Sequence, residues 1–224
     1  MRINAGKFKG RRFNPPTNLP ARPTTDFAKE GLFNILTNNF DFEMVSFLDL
    51  FSGTGSLSYE MVSRGCEDIV CVELDKRSID FIRKTSDELQ GNINVMKMDV
   101  FEYIRTTKKK FDIIFAGPPY PLENIPALPE EIFEMQLLKP EGWFVLETNQ
   151  KYKFDVDIRR WDKRANCFIS CFQDWQAFSI DDLISYDHKF DVHFDEYGRT
   201  TGTVEIYGQL RQLPPIEAQL RRQM

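Results

Sequence analysis

The sequence predicts a doubly wound α/β domain built on a mostly parallel sheet. Three observations carry that prediction. Five short apolar runs, at residues 45–51, 69–74, 93–98, 111–116 and 143–148, are nearly continuous rather than alternating, as strands covered on both faces are. Stretches of helical character separate them, at 56–63, 76–89, 101–106 and 129–138. A glycine-rich turn, Gly53-Thr54-Gly55, follows the first run, where a strand of such a sheet bends into a helix.

In chain order, residues 2–13 read as a short strand or hairpin, and residues 15–23 as an extended, proline-rich connector. Thr24-Thr25-Asp26 is a helix start, with a capping side chain and an acid in the first turn. Ala28, Leu32, Ile35 and Leu36 then share one helical face, and the helix should end near Asn38-Asn39. Gly65 and Gly91 sit at expected helix C-termini. After Asn149 the pattern weakens: residues 151–190 are mixed and aromatic without a clean period. Residues 191–194 and 203–207 read as two closing antiparallel strands around a turn. The expected organisation is a basic arm over 1–23, a domain over 24–213 with an atypical insertion at 155–190, and a polar tail over 214–224.

The composition of the 224 residues, 42% hydrophobic and 28% charged, excludes disorder as the main state. No apolar run approaches the roughly 20 residues a spanning helix needs. The first residues contain no apolar signal core, and four cysteines do not make a disulfide framework, so the expectation is a reduced, cytoplasmic protein without a membrane partner. Charge is unevenly placed. The first 25 residues hold Arg2, Lys7, Lys9, Arg11, Arg12 and Arg22 and no acid, so all 34 acids face only 23 bases in the remainder. Such an arm is either a phosphate-contacting element or a solvated terminus.

The residues with chemical potential cluster at strand ends, where open α/β sheets bind ligands. Asp49-Leu50-Phe51-Ser52-Gly53-Thr54-Gly55 closes the first strand with a carboxylate and a turn that approaches a ligand closely. Glu73 ends the second strand, where an acid can accept from ribose hydroxyls. Asp99 ends the third, where it could accept from an adenine amine or cap the next helix. Gly117-Pro118-Pro119-Tyr120 ends the fourth; its prolines remove two N–H donors, and Tyr120 offers a ring for a base. Arg22 stands beside a helix N-terminus suited to an anion. The two histidines and the cysteines show no metal-ligand spacing. No phosphate-loop lysine follows Gly55, and Ser58 replaces the third glycine of a dinucleotide fingerprint, which speaks against ATP hydrolysis and against an NAD oxidoreductase.

These residues resemble the RsmD-type methyltransferases. The resemblance runs through Met1-Arg2-Ile3, Gly6-Lys7-Phe8-Lys9-Gly10-Arg11, Arg22-Pro23-Thr24-Thr25-Asp26, Leu32-Phe33-Asn34-Ile35-Leu36, Asp49 to Gly55, Val72-Glu73, Asp99 and Pro118-Pro119-Tyr120, and it covers residues 1 to about 150. It implies a Rossmann-like methyltransferase fold, a mostly parallel seven-stranded sheet with an antiparallel C-terminal strand. It implies methyl transfer from S-adenosylmethionine to the N2 amino group of a guanine in 16S rRNA of the assembling small subunit, by a monomer. Asp49, Phe51, Ser52, Gly53, Thr54, Gly55, Glu73 and Asp99 would bind the cofactor. Gly117, Pro118, Pro119 and Tyr120 would hold the target amine and base, and Arg2, Lys7, Lys9, Arg11, Arg12 and Arg22 would grip rRNA.

Two departures stand out. The family's amine-binding motif begins with Asp or Asn, and here that position is Gly117, which has no side-chain acceptor. Residues 155–190 match the family's C-terminal end poorly, and His193-Phe194 with Glu196, Arg199, Gly202 and Val204 looks like a displaced version of it. Gly117 keeps open a second reading, a non-catalytic rRNA-binding assembly factor on the same fold.

Overall fold

The structure is a computed structural model. It describes residues 1–17, 26–119 and 121–148, and the backbone of three strands beyond them. The elements are α1 (Asp26–Asn39), β1 (Ser46–Leu50), α2 (Ser56–Ser63), β2 (Asp68–Glu73), α3 (Lys76–Leu89), β3 (Ile93–Lys97), α4 (Val100–Thr106), β4 (Phe111–Ala116), a 3-10 turn (Ile125–Ala127), α5 (Leu128–Glu134), β5 (Leu138–Thr148), β6 (Cys167–Phe172), β7 (Phe190–Phe194) and β8 (Thr200–Tyr207).

The five strands β3-β2-β1-β4-β5 run parallel, with helices between them in sequence. β1 is central and buried at every position, which is why its sequence shows no alternation. Its successive side chains feed two cores. Phe47, with Ile69, Ile113 and Val145, faces the side covered by α1, α2 and α3, where Phe33, Leu36, Leu57 and Ile82 pack. Leu48 and Leu50, with Val70, Ile114 and Phe144, face the other side, where Ile104 of α4 and Ile132 and Phe133 of α5 pack. The chain winds from β1 outward to β3, then returns to β4 on the opposite flank. The reversal falls between β1 and β4, so a crevice opens at their carboxyl ends.

Local signals fix the registers. Asp75 caps α3, accepting from the amides of Arg77 and Ser78 at 3.0 and 3.1 Å. Gln90, not Gly91, takes the left-handed conformation that ends α3. At the opposite edge of the sheet, the Asp112 carboxylate accepts from the Ser46 amide, the Ser46 hydroxyl and Lys139 Nζ, each at 2.7 Å, and ties β1, β4 and β5 together. Those hydrogen bonds outweigh its burial and hold its carboxyl below the ordinary value.

One expectation needs correction. The sheet has eight strands rather than seven, in the order β3-β2-β1-β4-β5-β6-β8-β7. The additional strand is β6, which pairs parallel with β5; β8 pairs antiparallel with β6, and β7 with β8. Residues 167–172, inside the stretch expected as an atypical insertion, form this strand. The run Cys-Phe-Ile-Ser-Cys-Phe lacks a period because a strand flanked by neighbours on both sides need not alternate. Residues 155–166 and 173–189, the tail 214–224 and the turn residues Glu196 and Arg199 lie outside the described residues.

The N-terminal residues form a tight hairpin-like loop. Arg2 and Arg12 make a single antiparallel bridge, and Ile3 and Phe13 are buried in the core beneath α2. Glu60 of α2 accepts from the amides of Asn4 and Ala5 at 2.8 and 2.9 Å, and Ser63 binds Lys7 and Phe8. No helix among the described residues is long and apolar enough to cross a membrane.

Candidate active site

The loop after β1 is built by its own backbone. Phe51 takes a left-handed conformation at φ 59°, uncommon for a side chain of that size, and its ring packs against the α4–α5 core. The Ser52 hydroxyl donates to the Asp49 carbonyl at 2.7 Å, and the Ser52 amide donates to the Val72 carbonyl at 3.2 Å. Gly53 at φ 52° and Gly55 at φ 75° complete the turn into α2. A Cβ on Gly55 would lie 2.9 Å from the Tyr59 ring and hydroxyl, so both the backbone angle and the space require glycine there. Thr54 is buried beside Met1, which joins the loop to the N-terminal hairpin.

Asp49 lies under this loop, 2% exposed, and accepts from the Ser58 hydroxyl at 2.6 Å. Burial, with help from the charges of Glu73 and Glu147, raises its carboxyl to about 7 despite the Ser58 hydrogen bond. A bound positive charge above the loop would favour its ionised form. Ser58, which as the missing third glycine counted against a dinucleotide site, is thus the partner that positions Asp49. Cys71, beside Ser58 at 3.0 Å, has its thiol pushed far up by burial and then by the Asp49 charge.

Glu73 closes β2 and accepts from three amides: Gly53 at 2.8 Å, Leu74 at 2.8 Å and Asp75 at 2.9 Å. One carboxylate thereby couples the glycine loop to the next strand end. Leu74 beside it is 62% exposed, an apolar surface at the rim. Asp99 caps α4, with Oδ1 accepting from Phe101 and Glu102, and remains solvent-accessible. The capping and ligand-facing readings of this residue are compatible, because one oxygen serves the helix.

On the other flank of the crevice, the Gly117 amide donates to the Leu50 carbonyl at 3.2 Å, which sets the β4 loop beside the β1 loop. Pro118 is buried and Pro119 exposed. Tyr120 and Arg22 lie outside the described residues. Glu147, at the end of β5 and 8% exposed, is a residue the sequence reading missed. The available signal was the one used for Asp49, Glu73 and Asp99: an acid closing an apolar strand. In the N-terminal loop, Arg2, Lys7, Lys9 and Arg12 are exposed, while Arg11 reaches Glu88 at 3.4 Å and packs over Phe8 and Phe13. Among the described residues, no group of three or more His, Cys, Asp and Glu side chains is placed to hold a metal ion.

Five strand ends therefore lie side by side at the carboxyl edge of the parallel sheet, the edge where open α/β sheets bind ligands. Residues 1–167 match the family model described as "Conserved hypothetical protein 95". The chain belongs to this family. The chain is also similar to the ribosomal RNA small subunit methyltransferase D of Escherichia coli, 30% identical over 148 residues, 66% of this chain and 71% of that protein. The resemblance to RsmD-type methyltransferases read from the sequence is borne out. The fold is shared with a hypothetical protein of Thermus thermophilus, at TM-score 0.61 and 19% identity over 93% of this chain and 99% of that one. It is shared also with an RNA methyltransferase of Salinibacter ruber solved with S-adenosyl-L-homocysteine, at TM-score 0.50 and 16% identity over 87% and 97% of the two chains.

Proposed function

We propose that this chain is an rRNA methyltransferase that uses S-adenosylmethionine and modifies the N2 amino group of a guanine in 16S rRNA. The observation that carries the reading is the carboxylate set at successive strand ends around the glycine loop, in a chain of the methyltransferase D family. S-adenosylmethionine presents an ammonium, a sulfonium, two ribose hydroxyls and an adenine amine, and this set of carboxylate acceptors suits them. Asp49 and the Phe51–Gly55 loop, with Ser52, Gly53 and Thr54, would hold the methionine portion. Glu73 would accept from the ribose hydroxyls while keeping its hold on the Gly53 amide. Asp99 would accept from adenine, with Leu74 against the apolar face of the base.

The cofactor supplies an activated methyl, so the protein's task is alignment. Gly117, Pro118, Pro119 and Tyr120 would place the target base, whose amine must leave any base pair to enter the crevice. Residues 1–23 would act as a basic arm on rRNA through Arg2, Lys7, Lys9, Arg11, Arg12 and Arg22. The remaining parts of the reading are a cytoplasmic monomer acting on the assembling small subunit, with β8 as the antiparallel close of the methyltransferase sheet.

The test is mass spectrometry of 16S rRNA from cells lacking this protein. The expected result is loss of one N2-methylguanine, restored when purified protein and S-adenosylmethionine are added to small subunits from those cells. An unchanged methylation pattern, with no restoration, overturns the reading.

A further inference from the structure

Methyl transfer to an exocyclic amine needs an acceptor beside the nitrogen, to point its lone pair at the methyl group and to take up the charge that develops on its hydrogens. At the end of β4, where the target base would dock, Gly117 offers no side chain. The space its side chain would enter is bounded by Phe115 of β4 itself and by Glu147 of the neighbouring strand. A Cβ built on Gly117 would lie 3.2 Å from the Phe115 ring and 3.7 Å from Glu147 Oε2. The pairing of β4 with β5 explains this. The last paired row is Ala116 with Leu146, so the next residues along, Gly117 and Glu147, come side by side at the mouth of the crevice. Glu147 is held at 8% exposure, and its charge reaches Asp49 under the glycine loop. Of the groups nearest the missing Cβ, Glu147 alone is a hydrogen-bond acceptor.

We propose that Glu147 is the catalytic acceptor for the target amine, delivered from β5 into the place that Gly117 leaves open. This rests on the methyltransferase reading above. One N2 hydrogen donates to the Glu147 carboxylate as the nitrogen lone pair attacks. The new N–C bond forms while the methyl–sulfur bond breaks, and its electron pair stays on sulfur, giving S-adenosylhomocysteine. The proton shed by the methylated nitrogen passes to the carboxylate and from there to water. Glycine at 117 then has a reason: an acid there would place a second carboxylate against Glu147, and like charges at that distance disfavour ionisation of both.

The test is single-turnover methylation of small subunits lacking the modification, with saturating S-adenosylmethionine, using the full chain and the variants Glu147→Gln, Gly117→Asp and Gly117→Asp/Glu147→Gln. Glu147→Gln is expected to slow transfer about 100-fold, as for loss of one positioned transition-state partner, with cofactor affinity within about twofold by calorimetry. Gly117→Asp alone should bring no gain, whereas the double variant should recover about tenfold or more over Glu147→Gln, because one carboxylate is restored without a repelling neighbour. Transfer by Glu147→Gln at the unsubstituted rate overturns the proposal while leaving the methyltransferase reading intact. Loss of cofactor binding in Glu147→Gln, with no recovery in the double variant, also overturns it and makes Glu147 a cofactor-site group. An unsubstituted protein that methylates no guanine overturns both.

Discussion

Lys29 and Glu60 form an ion pair with both side chains out of solvent, 1% and 0% exposed, and Nζ 3.6 Å from Oε2. Around it, Lys29 donates to the Arg2 carbonyl, Glu60 accepts from the amides of Asn4 and Ala5, and Arg64 bonds Glu60 from the far side. Burial lowers the Lys29 ammonium below its ordinary value even with Glu60 and Asp26 near it. The pair ties the N-terminal loop to α1 and α2, directly behind the glycine turn.

Removing Glu60 leaves the buried Lys29 ammonium with the partly exposed Asp26, 3.8 Å away, as its remaining counter-charge. Glu60→Ala is expected to destabilise the fold by about 3–5 kcal/mol, the range for breaking a buried pair. Replacing both by apolar residues, Lys29→Met with Glu60→Leu, should recover only part of that loss, because the Asn4 and Ala5 amides still lose their acceptor. Urea unfolding measures the first; hydrogen exchange at Asn4 and Ala5 measures the second. Full recovery with both amides still protected would show that Glu60 does not anchor the loop.

Asp49 gives the ligand-free protein a pH dependence of definite sign. Its folded carboxyl is raised to about 7, while the unfolded chain titrates near the ordinary 3.8. The folded state therefore holds the extra proton between those values. Its stabilising contribution is complete below pH 4, declines as pH rises, and is gone above pH 7, a difference on the order of 4 kcal/mol. The groups facing it are Ser58, Cys71, Glu73 and Glu147. Asp49→Asn keeps the shape and the Ser58 contact without the titration, so the variant should gain stability relative to the parent between pH 4 and pH 7. Parallel stability curves would place the Asp49 carboxyl in an ordinary environment.

Glycine contrasts test the loop. Gly55→Ala meets both a left-handed backbone and the Tyr59 ring at 2.9 Å, whereas Gly10→Ala, at φ 85°, meets nothing within 4 Å. Gly10→Ala should cost about 1–2 kcal/mol from the backbone alone. Gly55→Ala should add about 1–3 kcal/mol of overpacking and weaken S-adenosylmethionine binding. Equal losses in the two variants would mean that Tyr59 yields without strain.

The parallel core and its strand-end acids were legible because each strand carries its own apolar signal and each acid breaks it at the carboxyl end. What was not legible depends on pairs far apart in sequence. Lys29 and Glu60 look like ordinary charges on helices, and only the docking of α1 against α2 buries them. Strand β6 has no period of its own and becomes a strand by lying between β5 and β8. Glu147 became a candidate only when the register of β5 on β4 placed it beside Gly117. Gly117 itself was visible as a departure, and its compensation was not, because a side chain on another strand supplies it.

Glu73 links the ribose position to the loop. Its removal in Glu73→Ala is expected to weaken S-adenosylmethionine binding by about 1.5–3 kcal/mol, the range for hydrogen bonds to a charged group. The Gly53 amide, freed from its 2.8 Å partner, should exchange faster in the same variant. Calorimetry showing unchanged affinity would remove Glu73 from the cofactor site, whatever the exchange result.

The basic loop can be tested only by side-chain changes. Deleting residues 1–12 would take Ile3 out of the core and leave Lys29 and Glu60 without their backbone partners, so a loss of function in that truncation would say nothing about RNA. Arg2, Lys7, Lys9 and Arg12 are exposed and can be changed to Gln with the backbone partners of the buried pair left in place; removing the Arg2 charge also relieves its repulsion of Lys29. If these four meet phosphates, their joint substitution should weaken binding to 16S rRNA in small subunits. The slope of log affinity against log salt should fall by about 0.7 per lost contact on single-stranded segments, roughly three in all. Arg11→Gln alone should shift the slope less, because Glu88 already faces that guanidinium at 3.4 Å. Cofactor affinity should stay constant across the set, since none of these side chains lies at the strand ends. An unchanged salt slope in the fourfold variant would show that the loop's charges are solvated rather than bound to RNA.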